Sequence, residues 1–281
     1  MAEKEDKDFK ARISYTSEDD PLFRRLLMGT VEYASGRKRL EKVYTKVRKL
    51  QPGRKEIWQL ILNELEIGMV YDEQQLQKAA DKTGPLIIIA NHPFGVVDGL
   101  ILGHLLAQIR AEFFVLVNEV LCREPMLAPY FLPIDFRETK EAMQMNIQTR
   151  RLAMDRLQVG EAMGIFPSGG VATAPKIWKK AEDLEWKRFV VKLIQQTGAT
   201  VLPMYVHGQN SRLFQMASQL SLNFRLSLLL NEVRNKIGRK IMISIGDPIP
   251  FSELAHLKNR QDMLDYLRKV TEELSGRMPR I

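Results

Sequence analysis

The sequence predicts an α/β fold in which helices cover a mainly parallel or mixed β-sheet, with a helical extension at the N-terminus. Short runs of apolar, β-branched residues lack polar alternation, which indicates strands buried on both faces, as in parallel sheets. Stretches of helical periodicity separate these runs, in the order typical of α/β domains. With 281 residues, 45% of them hydrophobic and 27% charged, the chain is long enough to bury a large core.

The first fifty residues predict a polar tail and an amphipathic helix. Residues 1 to about 20 are charged and polar, and the pattern from Pro21 to Leu50 is helical. Gln51-Pro52-Gly53 then breaks the pattern. We therefore divide the chain into an N-terminal segment, 1–50, and an α/β domain, 51–281. The helix either packs on the domain or lies in a bilayer interface, and its apolar stripe consists of Leu22, Phe23, Leu26, Leu27, Val31, Tyr44 and Val47.

Five apolar runs after that boundary predict strands, and the segments between them predict helices. The strands are predicted at 86–90, 113–117, 163–166, 200–206 and 240–246. The helices are predicted near 97–110, 138–158, 183–197 and 259–275. Because functional residues of such sheets lie beyond the carboxyl ends of the strands, the residues that directly follow these runs are the first candidates for a site.

The charge distribution favours an anionic membrane surface as a partner. The net charge is +8, and between Arg37 and Lys55 nine basic residues accompany one acid, Glu41. Each cation near an anionic surface contributes about 1 kcal/mol to binding, although a solvated helix face is an equally simple interpretation. No recognised motif or interleaved aromatic set accompanies the charge, so we do not expect a nucleic-acid partner.

Cysteine usage and hydropathy predict a cytoplasmic protein at the inner face of the membrane. Cys122 is the single cysteine, which excludes a disulfide framework and favours a reducing compartment. The N-terminus is charged and lacks the apolar core of a secretory signal. The most apolar stretch, 85–109, is interrupted by polar residues, so we expect peripheral association and no transmembrane segment.

The strongest chemical signal is the segment 91–99, which follows the predicted strand 86–90. It places His92 where the strand ends and Asp98 near the start of the next helix. Histidine suits proton transfer near neutral pH, and a nearby carboxylate holds one tautomer and stabilises the imidazolium. Pro93 and Gly95 suit a tight loop. The pair predicts a general base, with a purely structural role as the alternative.

A second loop, 166–171, follows the predicted strand 163–166. Its sequence is Phe166-Pro167-Ser168-Gly169-Gly170-Val171, and backbone N–H groups in such a loop can bind an anion or a developing oxyanion. Ser168 with His92 and Asp98 would also supply the groups of a serine-hydrolase triad. The pattern Gly-x-Ser-x-Gly is absent, however, which argues against a nucleophile elbow and leaves a plain turn as a further alternative.

The other histidines suggest less. His207 follows the predicted strand 200–206 and is therefore expected at the edge of the site. His104 lies among leucines of a predicted helix and is expected to be partly buried, and His256 is expected at the surface. The four histidines lack the spacing of metal ligands, so we predict no metal site.

Together the two loops resemble the glycerolipid (lysophospholipid) acyltransferase family. The first family block, Asn-His-(four residues)-Asp, resembles Asn91, His92 and Asp98, and Phe-Pro-Glu-Gly-Thr-Arg resembles Phe166, Pro167 and Gly169. The segments 202–204 and 245–249 are similar to later family elements, and 118–135 to the intermediate block. The resemblance runs from about residue 85 to residue 250.

Two departures are similar to the bacterial hemolysin-like branch of this family. Five residues separate His92 from Asp98, and Ser168-Gly169-Gly170-Val171 replaces Glu-Gly-Thr-Arg, so the Arg associated with the acceptor's phosphate is missing. Trp186 before Phe189, and the run 208–214, also resemble that branch, some of whose members acylate lyso-ornithine or related amino-acid lipids. The missing charge could be replaced by Lys176, Lys179 and Lys180, although a solvated surface is the simpler interpretation of these lysines.

The resemblance implies an O-acyltransferase that moves a fatty acyl chain from acyl-CoA or acyl carrier protein to the hydroxyl of a lyso-lipid at the membrane surface. His92 would be the general base and Asp98 its partner, without a metal or redox cofactor. Residues expected to contact substrate are Asn91, Phe94, Gly95, Phe166, Pro167, Ser168, Gly169, Gly170 and His207. Two alternatives are a non-catalytic lipid-binding protein and a serine lipid hydrolase.

Overall fold

The computed structural model describes residues 37–123, 125–137, 139–220 and 222–279. Within these ranges seven strands form one sheet in the order β1-β7-β6-β2-β5-β3-β4. All neighbouring strands are parallel except the antiparallel pair β6 and β7. The predicted α/β class with a mainly parallel, mixed sheet is confirmed. The strands are β1 (Gly68–Val70), β2 (Leu86–Ala90), β3 (Phe113–Asn118), β4 (Phe131–Ile134), β5 (Ala162–Ile165), β6 (Thr200–Val206) and β7 (Lys240–Ile245).

Helices cover both faces of this sheet. In order, they are α1 (Arg37–Lys49), α2 (Glu56–Glu64), α3 (Glu73–Ala80), α4 (Val96–Ile109), α5 (Lys140–Gln158), α6 (Phe189–Thr197), α7 (Arg212–Leu220), α8 (Leu222–Lys236), α9 (Phe251–Leu254) and α10 (Arg260–Glu273). Short 3₁₀ helices span Glu119–Arg123, Ala128–Tyr130 and Leu274–Gly276. Every residue of β2 is buried, because Leu86 and Ile88 pack on the face covered by α2 and α4 while Ile87 and Ile89 pack on the face covered by α6 and α10.

The N-terminal helix packs on the domain. Val43, Tyr44 and Val47 of α1 are buried, and Val43 and Val47 join the apolar cluster around Trp58. Leu22, Phe23, Leu26, Leu27 and Val31, which the sequence places on the same stripe, lie outside the described residues.

Some of the basic residues in the segment 37–55 form ion pairs with acidic residues of the same chain. Lys46 pairs with Glu64 at 2.7 Å and Arg39 with Glu66 at 3.3 Å. Arg54 pairs with Glu112 at 2.5 Å. Exposed pairs of this kind contribute little to stability, but they partly neutralise the positive charge of the segment. No helix in the described ranges is both long and apolar enough to cross a bilayer.

Candidate active site

The first residue after β2 joins two strands where the sheet ends. The Asn91 amide donates to the Val206 carbonyl at 2.9 Å, and the Val206 N–H donates to Asn91 Oδ1 at 2.7 Å. The Asn91 side chain therefore extends the hydrogen bonding between β2 and β6 beyond the end of β2. Its predicted role in substrate contact stays a prediction, since both polar groups of the side chain are bound to backbone.

His92 and Asp98 form a hydrogen-bonded pair directly beyond this point. Nδ1 of His92 lies 2.9 Å from Oδ2 of Asp98, and the same oxygen accepts the N–H groups of Phe94 at 2.7 Å and Gly95 at 2.9 Å. The Asp98 side chain is fully buried, whereas 15% of the His92 side chain is exposed. An ionised carboxylate only accepts hydrogen bonds. Nδ1 therefore carries the proton, and Nε2 is left as the basic nitrogen.

The start of α4 explains why Asp98 is held there. It occupies the third position of the helix, whose N-terminus favours a negative charge. Gly95 precedes the helix with φ of 87°, a value that suits glycine. A Cβ at Gly95 would approach Leu229 Cδ2 to 2.9 Å, so the turn that presents two N–H groups to Asp98 requires a glycine.

Contacts from distant segments fix the rest of His92. Its ring stacks on Phe166, with centroids 4.0 Å apart and planes at 13°. Its N–H donates to Asp183 Oδ1 at 2.9 Å, and its carbonyl accepts the Ala172 N–H at 2.7 Å. Trp186 Nε1 donates to the other Asp183 oxygen at 2.9 Å. Burial raises the pKa of Asp183. The sequence analysis missed Asp183, because no local pattern links it to His92, 91 residues away.

The loop after β5 is built from backbone contacts. The buried Ser168 hydroxyl donates to the Gly170 carbonyl at 3.0 Å, and the Gly169 N–H donates to the Phe166 carbonyl at 2.9 Å. Pro167 accepts the Lys187 N–H through its carbonyl at 2.9 Å. Within the described ranges no hydrogen bond joins Ser168 to His92, and the triad of a serine hydrolase is not formed. The N–H groups of Ser168 and Gly170 have no partner in that part of the chain, which leaves them as donors.

The profile of the acyltransferase family matches residues 50–278 of the sequence. The chain belongs to the acyltransferase family. It is accordingly an enzyme that transfers acyl groups. Two relatives are named lyso-glycine lipid O-acyltransferase, one from Bacteroides thetaiotaomicron and one from Phocaeicola vulgatus. Each is 26% identical over 201 residues, which cover 69% of this chain and 71% and 69% of the two relatives.

Two of the residues predicted to contact substrate have structural partners in this acyltransferase. His207 donates from Nε2 to Ser244 Oγ at 2.7 Å, because the Ser244 hydroxyl gives its own proton to the Arg277 carbonyl at 2.5 Å. Burial lowers the pKa of His207. The Phe94 ring is buried, with Lys236 Nζ 4.5 Å from its centroid. Substrate contact by these two residues stays a prediction.

The other residues considered in the sequence have bland surroundings. His104 was expected to be partly buried and is fully buried on α4, where burial lowers its pKa, and His256 is exposed as predicted. Burial raises the pKa of Cys122 to about 11, so the thiol of this acyltransferase stays protonated near neutral pH and is a poor nucleophile. All three lysines proposed to replace the missing Arg are exposed, namely Lys176, Lys179 and Lys180.

Proposed function

We propose that this acyltransferase moves a fatty acyl chain from an acyl thioester to the hydroxyl of a lyso-lipid at the membrane surface, with His92 as general base. The observation that carries the proposal is the 2.9 Å contact between His92 Nδ1 and the buried Asp98 carboxylate, on a ring that is partly exposed. The names of the two relatives support a lyso-lipid acceptor.

The reaction is an exchange of a thioester for an oxygen ester. Nε2 of His92 takes the proton of the acceptor hydroxyl as its oxygen attacks the thioester carbonyl, and Asp98 stabilises the imidazolium that forms. In this proposal the N–H groups of Ser168 and Gly170, which lack a partner in the described ranges, donate to the carbonyl oxygen as it gains charge. The C–S bond then breaks, the C–O ester bond remains, and the leaving thiolate takes the proton from the imidazolium.

The donor is acyl-CoA or acyl carrier protein. Both carry the same thioester, and the chemistry at His92 is the same for either. The two donors are distinguished by supplying each with one acceptor and comparing kcat/KM. With either donor, one free thiol should be released for each lipid ester formed.

The membrane-surface part of the proposal rests on the outer face of α7. Leu213, Met216 and Leu220 are exposed there at a spacing that places them on one side of the helix. Trp178 is 76% exposed and lines the same cleft as Arg212, at the start of α7. The exposed cations nearby are Lys176, Lys179, Lys180 and Arg212. In the described ranges none of these four forms an ion pair, so this face combines apolar side chains with free positive charge.

Vesicle flotation compares this face with the basic segment 37–55. We expect Leu213→Gln with Leu220→Gln to weaken binding to anionic vesicles more than Lys42→Gln with Lys49→Gln. A buried leucine contributes about 2 kcal/mol and a surface cation about 1 kcal/mol. A larger loss in the lysine variant would place docking on the N-terminal segment. Equal binding by both variants and the unsubstituted chain would contradict docking by either surface.

Thioester consumption by the purified protein tests the function itself. A panel of lyso-lipids is supplied with acyl-CoA and, separately, with acyl carrier protein, and the ester product is identified by mass spectrometry. Ester formation that His92→Ala abolishes is the expected result. Lipid binding without ester formation across the whole panel would favour the non-catalytic lipid-binding alternative.

A further inference from the structure

Arg225, near the start of α8, lies against the loop after β5. One guanidinium nitrogen, Nη2, is 3.7 Å from the point where a side chain on Gly170 would begin. Leu184 Cδ1 lies 2.9 Å from the same point. The loop carries no cation of its own, because its sequence after Pro167 is Ser-Gly-Gly-Val. Arg225 therefore brings a positive charge to the loop whose N–H groups we propose as donors to the reacting carbonyl.

The guanidinium of Arg225 has no partner in the described part of the chain. Two other arginines, by contrast, pair with carboxylates: Arg137 with Asp135 at 2.6 Å and Arg156 with Glu161 at 2.6 Å. Arg225 is half-buried, and burial alone lowers its pKa.

Arg110 shows how a guanidinium without a carboxylate is otherwise satisfied in this protein. Burial lowers its pKa as well, but Nη1 donates to the carbonyls of Ile109 at 2.9 Å and Ala80 at 3.0 Å. A cation removed from water without such partners reduces stability. This loss of stability at Arg225 is explained if a bound ligand supplies the hydrogen-bond acceptors that the guanidinium lacks.

Helix α8 connects Arg225 to the His92 loop. One helical turn after Arg225, Leu229 Cδ2 lies 2.9 Å from the Cβ position of Gly95, which precedes Asp98 by three residues. The loop at Gly170 reaches His92 two residues later, where the Ala172 N–H donates to the His92 carbonyl. Helix α8 thus contacts both loops, at Gly170 through Arg225 and at Gly95 through Leu229.

We infer that Arg225 binds the anionic group of the acceptor's headgroup while His92 activates its hydroxyl. This inference rests on the proposed function and names its acceptor class, a lyso-lipid that carries an oxyanion. The planar guanidinium matches a carboxylate or a phosphate with two parallel hydrogen bonds. An amino acid joined to a lipid through its amine keeps a carboxylate, which makes an amino-acid lyso-lipid the expected source.

Acceptors that differ only in charge test the inference. The unsubstituted protein and Arg225→Met are compared on a lyso-glycine lipid with a free carboxylate, on its methyl ester and on lysophosphatidate. We expect Arg225→Met to raise KM for the carboxylate roughly 10- to 100-fold, the size of one hydrogen bond to a charged group, with little change in kcat. The methyl ester should be acylated equally by both proteins, and Arg225→Lys should recover part of the affinity.

Stability measurements separate ligand binding from a structural role. Because Arg225→Met removes a half-buried charge without a partner, its Tm in the absence of lipid should equal or exceed that of the unsubstituted protein. Arg260→Met, which removes an exposed cation on α10, is the control and should leave every KM unchanged.

Each outcome of this comparison supports or overturns the inference. A raised KM for lysophosphatidate in Arg225→Met, with the carboxylate acceptor unaffected, would support oxyanion binding and identify a phosphate as its source. An unchanged KM for both anionic acceptors, or an equal loss on the methyl ester together with a lower Tm, would overturn it. Failure of the unsubstituted protein on all acceptors would instead contradict the proposed function.

Discussion

The loops after β2 and after β5 lie against each other, but they hold their polar groups in different ways. In the loop after β2 the functional polar groups belong to side chains: that of Asn91 is hydrogen-bonded to the backbone of Val206, and that of His92 to Asp98. In the loop after β5 the Ser168 hydroxyl is already hydrogen-bonded to the carbonyl of Gly170, two residues away. The groups left to bind a ligand there are therefore backbone N–H groups. One loop presents a basic nitrogen and the other presents N–H groups.

This difference predicts how each loop responds to substitution. A proton-transferring side chain has no substitute nearby, so its removal lowers the rate directly. A backbone donor stays in place when a side chain is removed, provided that the loop keeps its conformation. Substitutions after β2 should therefore change kcat through chemistry, whereas substitutions after β5 should act mainly through conformation and stability.

His92→Ala should have the largest effect. Loss of the proposed general base would remove a contribution that is typically 10²- to 10⁴-fold, so kcat for acyl transfer should fall by at least about 10². The steady-state rate of thiol release, measured with a saturating acceptor, gives kcat. The matched control is His256→Ala on the exposed surface. Near-normal kcat in His92→Ala would contradict the assignment of proton transfer to the loop after β2.

Asp98→Asn should lower kcat by less. The amide oxygen can still accept the N–H groups of Phe94 and Gly95, which keeps the start of α4, but the negative charge that stabilises the imidazolium is lost. A hydrogen bond to a charged group exceeds a neutral one by about 1–2 kcal/mol, which corresponds to roughly 5- to 30-fold in kcat.

Asp262→Asn is the matched control for this change, since Asp262 holds the third position of α10 and is exposed. Its kcat should equal that of the unsubstituted protein. An effect of Asp98→Asn on KM alone would mean that the carboxylate positions substrate rather than the imidazole.

The glycines of the two loops should differ in stability. Gly95 has φ of 87° and ψ of −115°, and a Cβ there would meet Leu229 at 2.9 Å. Gly169 has φ of 65°, and its Cβ would lie 3.2 Å from the exposed ring of Phe136, which can move. Gly95→Ala should lower the free energy of unfolding by about 3 kcal/mol and Gly169→Ala by about 1 kcal/mol. Urea unfolding of both variants measures the difference, and equal losses would contradict it.

Local sequence patterns predicted what depends on neighbours along the chain. The predicted strands 86–90 and 200–206 coincide with β2 and β6, because both runs are almost entirely apolar. β1 and β4 were missed, because both are short strands at the sheet's edges, and β4 contains Pro133. The predicted helix 183–197 begins only at Phe189, since the preceding residues form the loop that carries Asp183 to His92.

The candidate site shows the same limit. His92 and Asp98 are six residues apart, so a strand followed by a helix was enough to place them together. Asp183 and Arg225 reach the two loops from segments that are distant in sequence. Their positions depend on how α8 and the loop before α6 pack, which no periodicity or short motif encodes.

Ser168→Ala should have the smallest effect on rate and distinguishes the two loops most directly. The hydroxyl donates to Gly170 and not to His92, so its removal should change kcat by less than about threefold and lower the free energy of unfolding by about 1 kcal/mol, the value of one such hydrogen bond. If Ser168 were instead the nucleophile of a lipid hydrolase, alanine would abolish turnover as fully as His92→Ala does. Parallel assays of ester formation and lipid hydrolysis on both variants separate these outcomes. Retained transfer in Ser168→Ala, together with its loss in His92→Ala, would assign proton transfer to the loop after β2 and leave the loop after β5 with its backbone donors.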